Sequence, residues 1–227
     1  MSARLVLGVT AGVLTAGVVA VVEVGRRRLT SQLATARRDA VTDSLTGLAN
    51  RPGLEAGLAR LVKAGHPYGL LMIDLDGFKQ VNDSLGHAAG NAVLIEVGRR
   101  LVDLVDGQDA VVARPGGDEF VVAVPAAAPV LAAELAHEAA ALIKLPIWVD
   151  GKTVEVGASV GVVHAGTAEP MSAVLHTADI AMYQAKVSGG VVEHDPVAGL
   201  VMPPADQPAA RLRDMTGIGR GLRAVTA

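Results

Sequence analysis

Apolar residues follow three rhythms along the chain. From Leu5 to Val22, Leu, Val, Ala and Gly run on with two Thr and no charge. At about 1.5 Å per residue, such a helix nearly crosses a hydrocarbon core of roughly 30 Å. Arg26, Arg27 and Arg28 follow the run and only Arg4 precedes it. That order is wrong for a cleaved leader and puts the arginine side in the cytoplasm. Residues 1–28 are therefore expected to form one membrane-spanning helix with a basic stop, its N-terminus outside. In residues 29–42 the rhythm becomes helical: Leu29, Leu33, Ala36 and Ala40 form a narrow stripe on a polar linker helix. A stripe of that width suits pairing with a second copy.

Beyond residue 43, short apolar runs alternate with helical patterns. A turn-rich joint, Asp43 to Pro52, leads into a helix over Gly53 to Lys63, with Pro52 where proline is best tolerated. Tyr68 to Asp76 reads as a strand, and its run Gly69 to Ile73 is apolar throughout, as for a strand covered on both faces. Val81 to Val105 reads as the longest helix, with Val93, Leu94, Val97, Leu101 and Leu104 inward. Ala110–Ala113 and Phe120–Val124 read as hairpin strands around Gly116-Gly117, whose freedom at positive φ suits a two-residue turn. Pro129 to Leu145 reads as a helix, Ile147–Asp150 and Lys152–His164 as a hairpin across Asp150-Gly151, and Ser172 to Lys186 as the last helix. After Gly189 prolines break the pattern, so residues 196–227 are expected to be a flexible tail.

The order β-α-β-β-α-β-α predicts an α+β domain over residues 43–195. It is a ferredoxin-like split βαβ sheet, with helices expected on one face. That scheme places the end of the first strand beside the hairpin turn. Asp74 and Asp118 can then meet, and alternation puts Asp76 on the face of Asp74. Composition narrows the chemistry. The chain has no cysteine, which excludes disulfides and Cys-based metal sites. A net charge of −3 argues against binding a nucleic acid polymer. Aromatics are 2% of residues, so Val, Leu, Ala and Ile must build the core. Converging carboxylates repel unless a hard cation is present, and oxygen ligands alone suit Mg²⁺ or Mn²⁺. Such a site on a palm-like sheet is the arrangement of phosphoryl or nucleotidyl transfer.

Six ordered stretches resemble the signatures of the GGDEF-domain diguanylate cyclases. They are Asp43-Ser44-Leu45-Thr46-Gly47-Leu48-Ala49-Asn50-Arg51, Asp74-Leu75-Asp76-Gly77-Phe78-Lys79-Gln80-Val81-Asn82-Asp83, Gly86-His87-Ala88-Ala89-Gly90, Gly116-Gly117-Asp118-Glu119-Phe120, Ser159-Val160-Gly161 and Ala178-Asp179-Ile180-Ala181-Met182-Tyr183-Gln184-Ala185-Lys186. The resemblance spans about residues 40–195. It implies a cyclase-palm βαββαβ fold and condensation of two GTP into cyclic di-GMP, with release of two pyrophosphates, at a homodimer interface. It implies Asp74, Asp118 and the Leu75 carbonyl as Mg²⁺ (or Mn²⁺) ligands. Asp118 and Glu119 become the acids that help deprotonate the attacking hydroxyl. Gly77 and Phe78 would cradle phosphate, with Lys79 and Lys186 adding charge. Asn82 would bind guanine, and His87 would pack a helix.

The departures bear on function. The family usually carries Asp where this chain has Asn91, an amide that accepts only one of guanine's two donors and can also pair with adenine. Many members place a triphosphate-gripping Arg where Gly190 stands. Arg and Asp of the product feedback site are replaced by Gly107 and Ala110, so no product inhibition through that site is expected. Four readings follow: a membrane-anchored cyclase, a nucleotide-binding or regulatory module without turnover, a cyclase of relaxed base choice, and a scaffold or receptor in which the membrane segment matters more than the catalytic domain.

Overall fold

The computed structural model describes residue 23 and residues 25–33, 35–125 and 129–194. Among the described residues no helix is long and apolar enough to cross a membrane. The span expected at residues 5–22 and the tail expected at 196–227 lie outside the described residues. Residues 25–33 and 35–39 are helical, with Leu29 and Leu33 exposed. The chain divides into two units, Met1–Ala40 and Val41–Ala227, and the second carries the fold described below.

Its elements are α1 (Arg51–Ala64), β1 (Tyr68–Asp76), α2 (Phe78–Leu85), α3 (His87–Leu104), β2 (Val111–Gly116), β3 (Glu119–Pro125), α4 (Pro129–Ile143), β4 (Ile147–Val149), β5 (Lys152–Val154), β6 (Gly157–Ala165), α5 (Met171–Ser188) and β7 (Val191–Glu193). The main sheet has the order β2-β3-β1-β6-β7. Its first four strands give the ferredoxin-like order expected from the pattern. β1 lies in the middle, antiparallel to β3 on one side and to β6 on the other.

Helices cover both faces of this sheet, which corrects the one-face expectation. Leu71, Ile73 and Leu75 of β1 join Phe120, Val122 and Val160 under α3 and α4. Leu70 and Met72 point the other way, into a second core with Leu54 and Leu58 of α1 and Val174, Ala178 and Met182 of α5. The unbroken apolar run of β1 requires two covers, since alternate residues face opposite sides.

Three further boundaries differ from the sequence pattern. The helix expected over Val81 to Val105 is two helices, because Gly86 at φ 83° and ψ 166° leaves helical space between them. Hydrophobic periodicity cannot register that break, since both halves bury apolar residues. The arm expected as one strand over Lys152 to His164 splits. β4 and β5 form their own two-stranded ribbon, and β6 joins the main sheet. Gly189 and Gly190, both at φ 83°, turn the chain after α5 into β7, a short strand parallel to β6 that the dissolving pattern did not indicate.

α1 begins as the sequence suggests. Asn50 caps it by accepting from the Gly53 amide at 3.0 Å, with proline in the first turn. A buried arginine ties the α3 layer together. Arg100 donates to Glu96 Oε1 at 2.9 Å and to the carbonyls of Leu142, Leu145 and Pro146 at 2.8, 2.6 and 2.9 Å. Its guanidinium thereby gathers carbonyls of the last turn of α4 and of the residues just after it.

Candidate active site

The site is built on the carboxyl end of β1. Asp74 pairs in register with Glu119 across the β1–β3 ladder and with Ser159 across β1–β6. All three therefore lie on the α1/α5 face. Asp74 and Glu119 are 6% and 5% exposed, so two acids face each other largely out of water. The turn between β2 and β3 is Gly117-Asp118, with Gly116 paired to Glu119 inside the ladder. This corrects the expectation that Gly116-Gly117 makes the turn. Gly117 carries the positive φ, at 59°, in the position a type II′ turn reserves for glycine. The Asp118 carbonyl accepts from the Leu75 amide at 3.2 Å. In a ladder the carbonyl of a residue points to the side of its amide, so the Leu75 carbonyl also faces the turn.

A cation already answers these acids. Lys186, near the end of α5, sets its ammonium 2.8 Å from Asp74 Oδ2. α5 can reach so close because Gly161 leaves room: a Cβ there would lie 2.2 Å from the Met182 amide nitrogen. Burial pushes the Asp74 carboxyl above its ordinary range. Lys186 pulls it down, Asp118 and Asp76 push it up, and the net shift is upward.

The hairpin is held from behind by the joint that precedes α1. Arg114 donates from one nitrogen to both Asp43 oxygens, at 2.9 and 3.0 Å, and from two others to the Gly117 carbonyl at 3.0 and 2.7 Å. Thr46 donates to Asp43 through its amide (2.9 Å) and its hydroxyl (2.6 Å). Burial raises the Asp43 carboxyl, but the Thr46 hydrogen bonds and Arg114 outweigh it, and the net shift is downward. Asp43, Thr46 and Arg114 are thus the buttress of the turn. The sequence offered the joint as a motif without a role, because its partner lies far along the chain.

α2 follows β1 at once. Gly77, at φ 82°, caps it without a side-chain bond. The first-turn amides at Phe78 and Lys79 thus end a helix N-terminus with no side-chain cap, a natural place for an anion. Lys79 is exposed beside them. Asn82 lies against Gly90, where a Cβ would be 2.0 Å from its Oδ1 and 3.2 Å from Phe78 Cζ. Glycine there lets α2 and α3 close up, setting Asn82 next to the turn that bears Asn91, which is exposed. His87 is exposed too and not a packing residue. The structure thus brings together Asp74, Leu75, Asp118, Glu119 and Lys186, while Gly77, Phe78, Lys79, Asn82 and Asn91 lie on the two helices that follow.

Among the described residues no three His, Cys, Asp or Glu side chains converge as a ready-made metal cage. The donor set nonetheless fits Mg²⁺, which is usually held by one or two carboxylates together with substrate phosphates. Lys186 stands beside Asp74 as a positive charge where a cation is needed.

This strand end, hairpin and paired acids have close relatives. The family described as "Diguanylate cyclase, GGDEF domain" matches residues 40–191, and the chain belongs to it. Diguanylate cyclase TpbB of Pseudomonas aeruginosa is 39% identical over 166 residues, 70% of this chain and 38% of that protein. The bifunctional diguanylate cyclase/cyclic di-GMP phosphodiesterase MucR of the same species is 38% identical over 170 residues, 71% of this chain and 25% of that one. The chain thus spans less than half the length of either. Among solved structures, the coiled coil and GGDEF domain of DgcB from Caulobacter crescentus, in complex with c-di-GMP, superposes with a TM-score of 0.71. It is 27% identical and covers 78% of this chain and 97% of that one. A fragment of TpbB comprising only the GGDEF domain gives 0.63 at 37% identity, over 67% of this chain and 92% of that one.

Proposed function

We propose that the protein is a diguanylate cyclase, condensing two GTP into cyclic di-GMP with release of two pyrophosphates. The observation that carries this reading is the pair Asp74 and Glu119, facing each other at the strand end beside the Asp118 turn. In each of two steps the 3′-oxygen of one nucleotide bonds to the α-phosphorus of the other. The bond from that phosphorus to the bridging oxygen breaks, and pyrophosphate leaves. Asp118 and Glu119 take up the hydroxyl proton. The α2 amides and Lys79 hold the triphosphate, and Lys186 turns from Asp74 to the phosphates. Asp74, Asp118 and the Leu75 carbonyl would hold Mg²⁺ or Mn²⁺, which when bound neutralises phosphate charge and acidifies the hydroxyl.

One site holds one nucleotide, so two copies must face each other. The exposed Leu29 and Leu33, one helical turn apart, suit such pairing. Residues 5–22 supply the anchor in this reading, leaving the catalytic domain in the cytoplasm. Beside Gly107 and Ala110 lies a cleft of about 350 Å³, whose polar side chains are Asp106 and Gln108. Without a cation it should not hold an anionic dinucleotide, so no feedback by product at this place is proposed. Purified full chain with GTP and Mg²⁺ is expected to yield cyclic di-GMP, and Asp118→Ala to lower the yield by about a thousandfold or more. No product at high protein concentration, with dimerisation enforced, refutes turnover.

A second reading is a module that binds nucleotide without turnover. Gly190 favours it: where a cation would grip triphosphate, the chain has a glycine with open space beyond its Cα. Calorimetry showing GTP binding without pyrophosphate release would select this reading. Asn91 bears on base choice within the first, and assays with GTP, ATP and their mixture would show whether selection is strict.

A further inference from the structure

Asp76 is the acid at this strand end that the proposed chemistry does not use. It shares the face of Asp74, two residues earlier, and sits next to the Gly77 cap. A third carboxylate there would repel a triphosphate and compete for any cation. Yet its side chain is turned aside. The Ser159 hydroxyl donates to Asp76 Oδ1 at 2.8 Å. Opposite Asp76 in the ladder is Gly157, where a Cβ would lie 3.1 Å from Asp76 Oδ2 and 3.2 Å from Asp76 Cβ. Glycine leaves the space and serine holds the group in it. Both belong to β6, whereas Asp118 and Glu119 come from the opposite side of β1. The carboxylate is therefore drawn towards β6 and away from the acids that face each other. Ser159 is 1% exposed, so water competes poorly for its hydroxyl.

We propose that Ser159 is a positioning residue that parks the Asp76 carboxylate against β6, keeping it out of the cation and triphosphate site. Loss of the hydroxyl frees Asp76 to swing towards Asp74. It then adds a hard oxygen to the cation site and a negative charge in the path of the phosphates. Nucleotide-free protein gains affinity for a divalent ion, and affinity for GTP falls. The inference rests on the site being the nucleotide site proposed above.

The test uses full-length protein, Ser159→Ala, Asp76→Asn and the double variant. Mn²⁺ binding without nucleotide is read by electron paramagnetic resonance, GTP binding by calorimetry, and folding by Tm. Ser159→Ala is expected to tighten Mn²⁺ and weaken GTP, each by about threefold to tenfold, the worth of one hydrogen bond. If turnover is seen, KM should rise while kcat stays within about twofold. On the Asp76→Asn background the same substitution should change neither affinity, whereas a merely structural serine would act on both backgrounds. Ser159→Thr, which keeps a hydroxyl, should stay near wild type and serves if alanine impairs folding. Equal Mn²⁺ and GTP affinities for wild type and Ser159→Ala overturn the parking role and leave the nucleotide site standing. An undiminished effect on the Asp76→Asn background overturns it likewise. Wild-type protein that binds neither Mn²⁺ nor GTP overturns both proposals.

Discussion

Two buried charges, Arg100 and Asp74, show how the same cost is met in opposite ways. Arg100 is 9% exposed and surrounded by acceptors: Glu96 and the carbonyls at and just beyond the end of α4. Its partners arrive from within the fold, and the cluster is complete without a ligand. Asp74 is as deeply buried, but its neighbours Glu119, Asp118 and Asp76 are acids too. Among the described residues Lys186 alone answers it with a charge. Complete pairing makes a fastener; incomplete pairing makes a receptor for positive charge.

Removing the fastener should cost most. Arg100→Met is expected to lose about 3 kcal/mol in urea unfolding, because it strips the Leu142, Leu145 and Pro146 carbonyls and Glu96 of their shared donor. An unchanged midpoint would mean that the clamp is ornamental. Gly161→Ala comes next, at about 2 kcal/mol, because its Cβ meets backbone rather than a yielding side chain. It should also shift α5 and the Lys186–Asp74 contact with it, seen as weaker GTP binding. Asp74→Asn should do the reverse for stability. A folded carboxyl held above its ordinary value stabilises below the unfolded pKa and costs stability as pH rises through the folded one. At neutral pH the amide relieves that cost, so Tm should rise a few degrees while divalent-ion binding is lost. A fall in Tm would show that Lys186 more than offsets burial.

The smallest effect concerns acid. The Arg99 hydrogen bonds, aided by Arg100 and opposed by burial, hold the Glu96 carboxyl down at about 2. A lowered carboxyl stabilises above its unfolded pKa of 4.5, and that stability drains as pH falls towards the folded value. Glu96→Gln should flatten the acid limb of the stability profile, and Asp74→Asn the limb above it. One substitution acting on both limbs would mean the clusters are coupled.

The pattern of residues disclosed one cluster and hid the other. The acids of the site stand at the ends of strongly patterned strands, where alternation assigns their face. Arg100 falls on the inward stripe of Val93, Val97, Leu101 and Leu104, and its charge disguised it as surface. The position was readable, and so was Glu96 one turn before it, but the carbonyl partners, more than forty residues on, were not. Ser159 left a fainter sign. Gly157, Ser159 and Gly161 form a row of small residues on one face of β6, with Ala158, Val160 and Val162 on the other. Small residues on a buried face imply close company, and here it is Asp76 and α5. The Gly86 break and β7 could not be read, since neither alters hydrophobic period over a length that carries a signal.

The central place of β1 has a consequence in time. Both its edges are paired and both its faces covered, so its amides should exchange with deuterium only when the whole domain opens. β7, at the margin of the sheet, and the β4–β5 ribbon can fray without disturbing it. Asp74 ends the strand that lets go last, so the geometry of the site should persist through every lesser opening of the molecule.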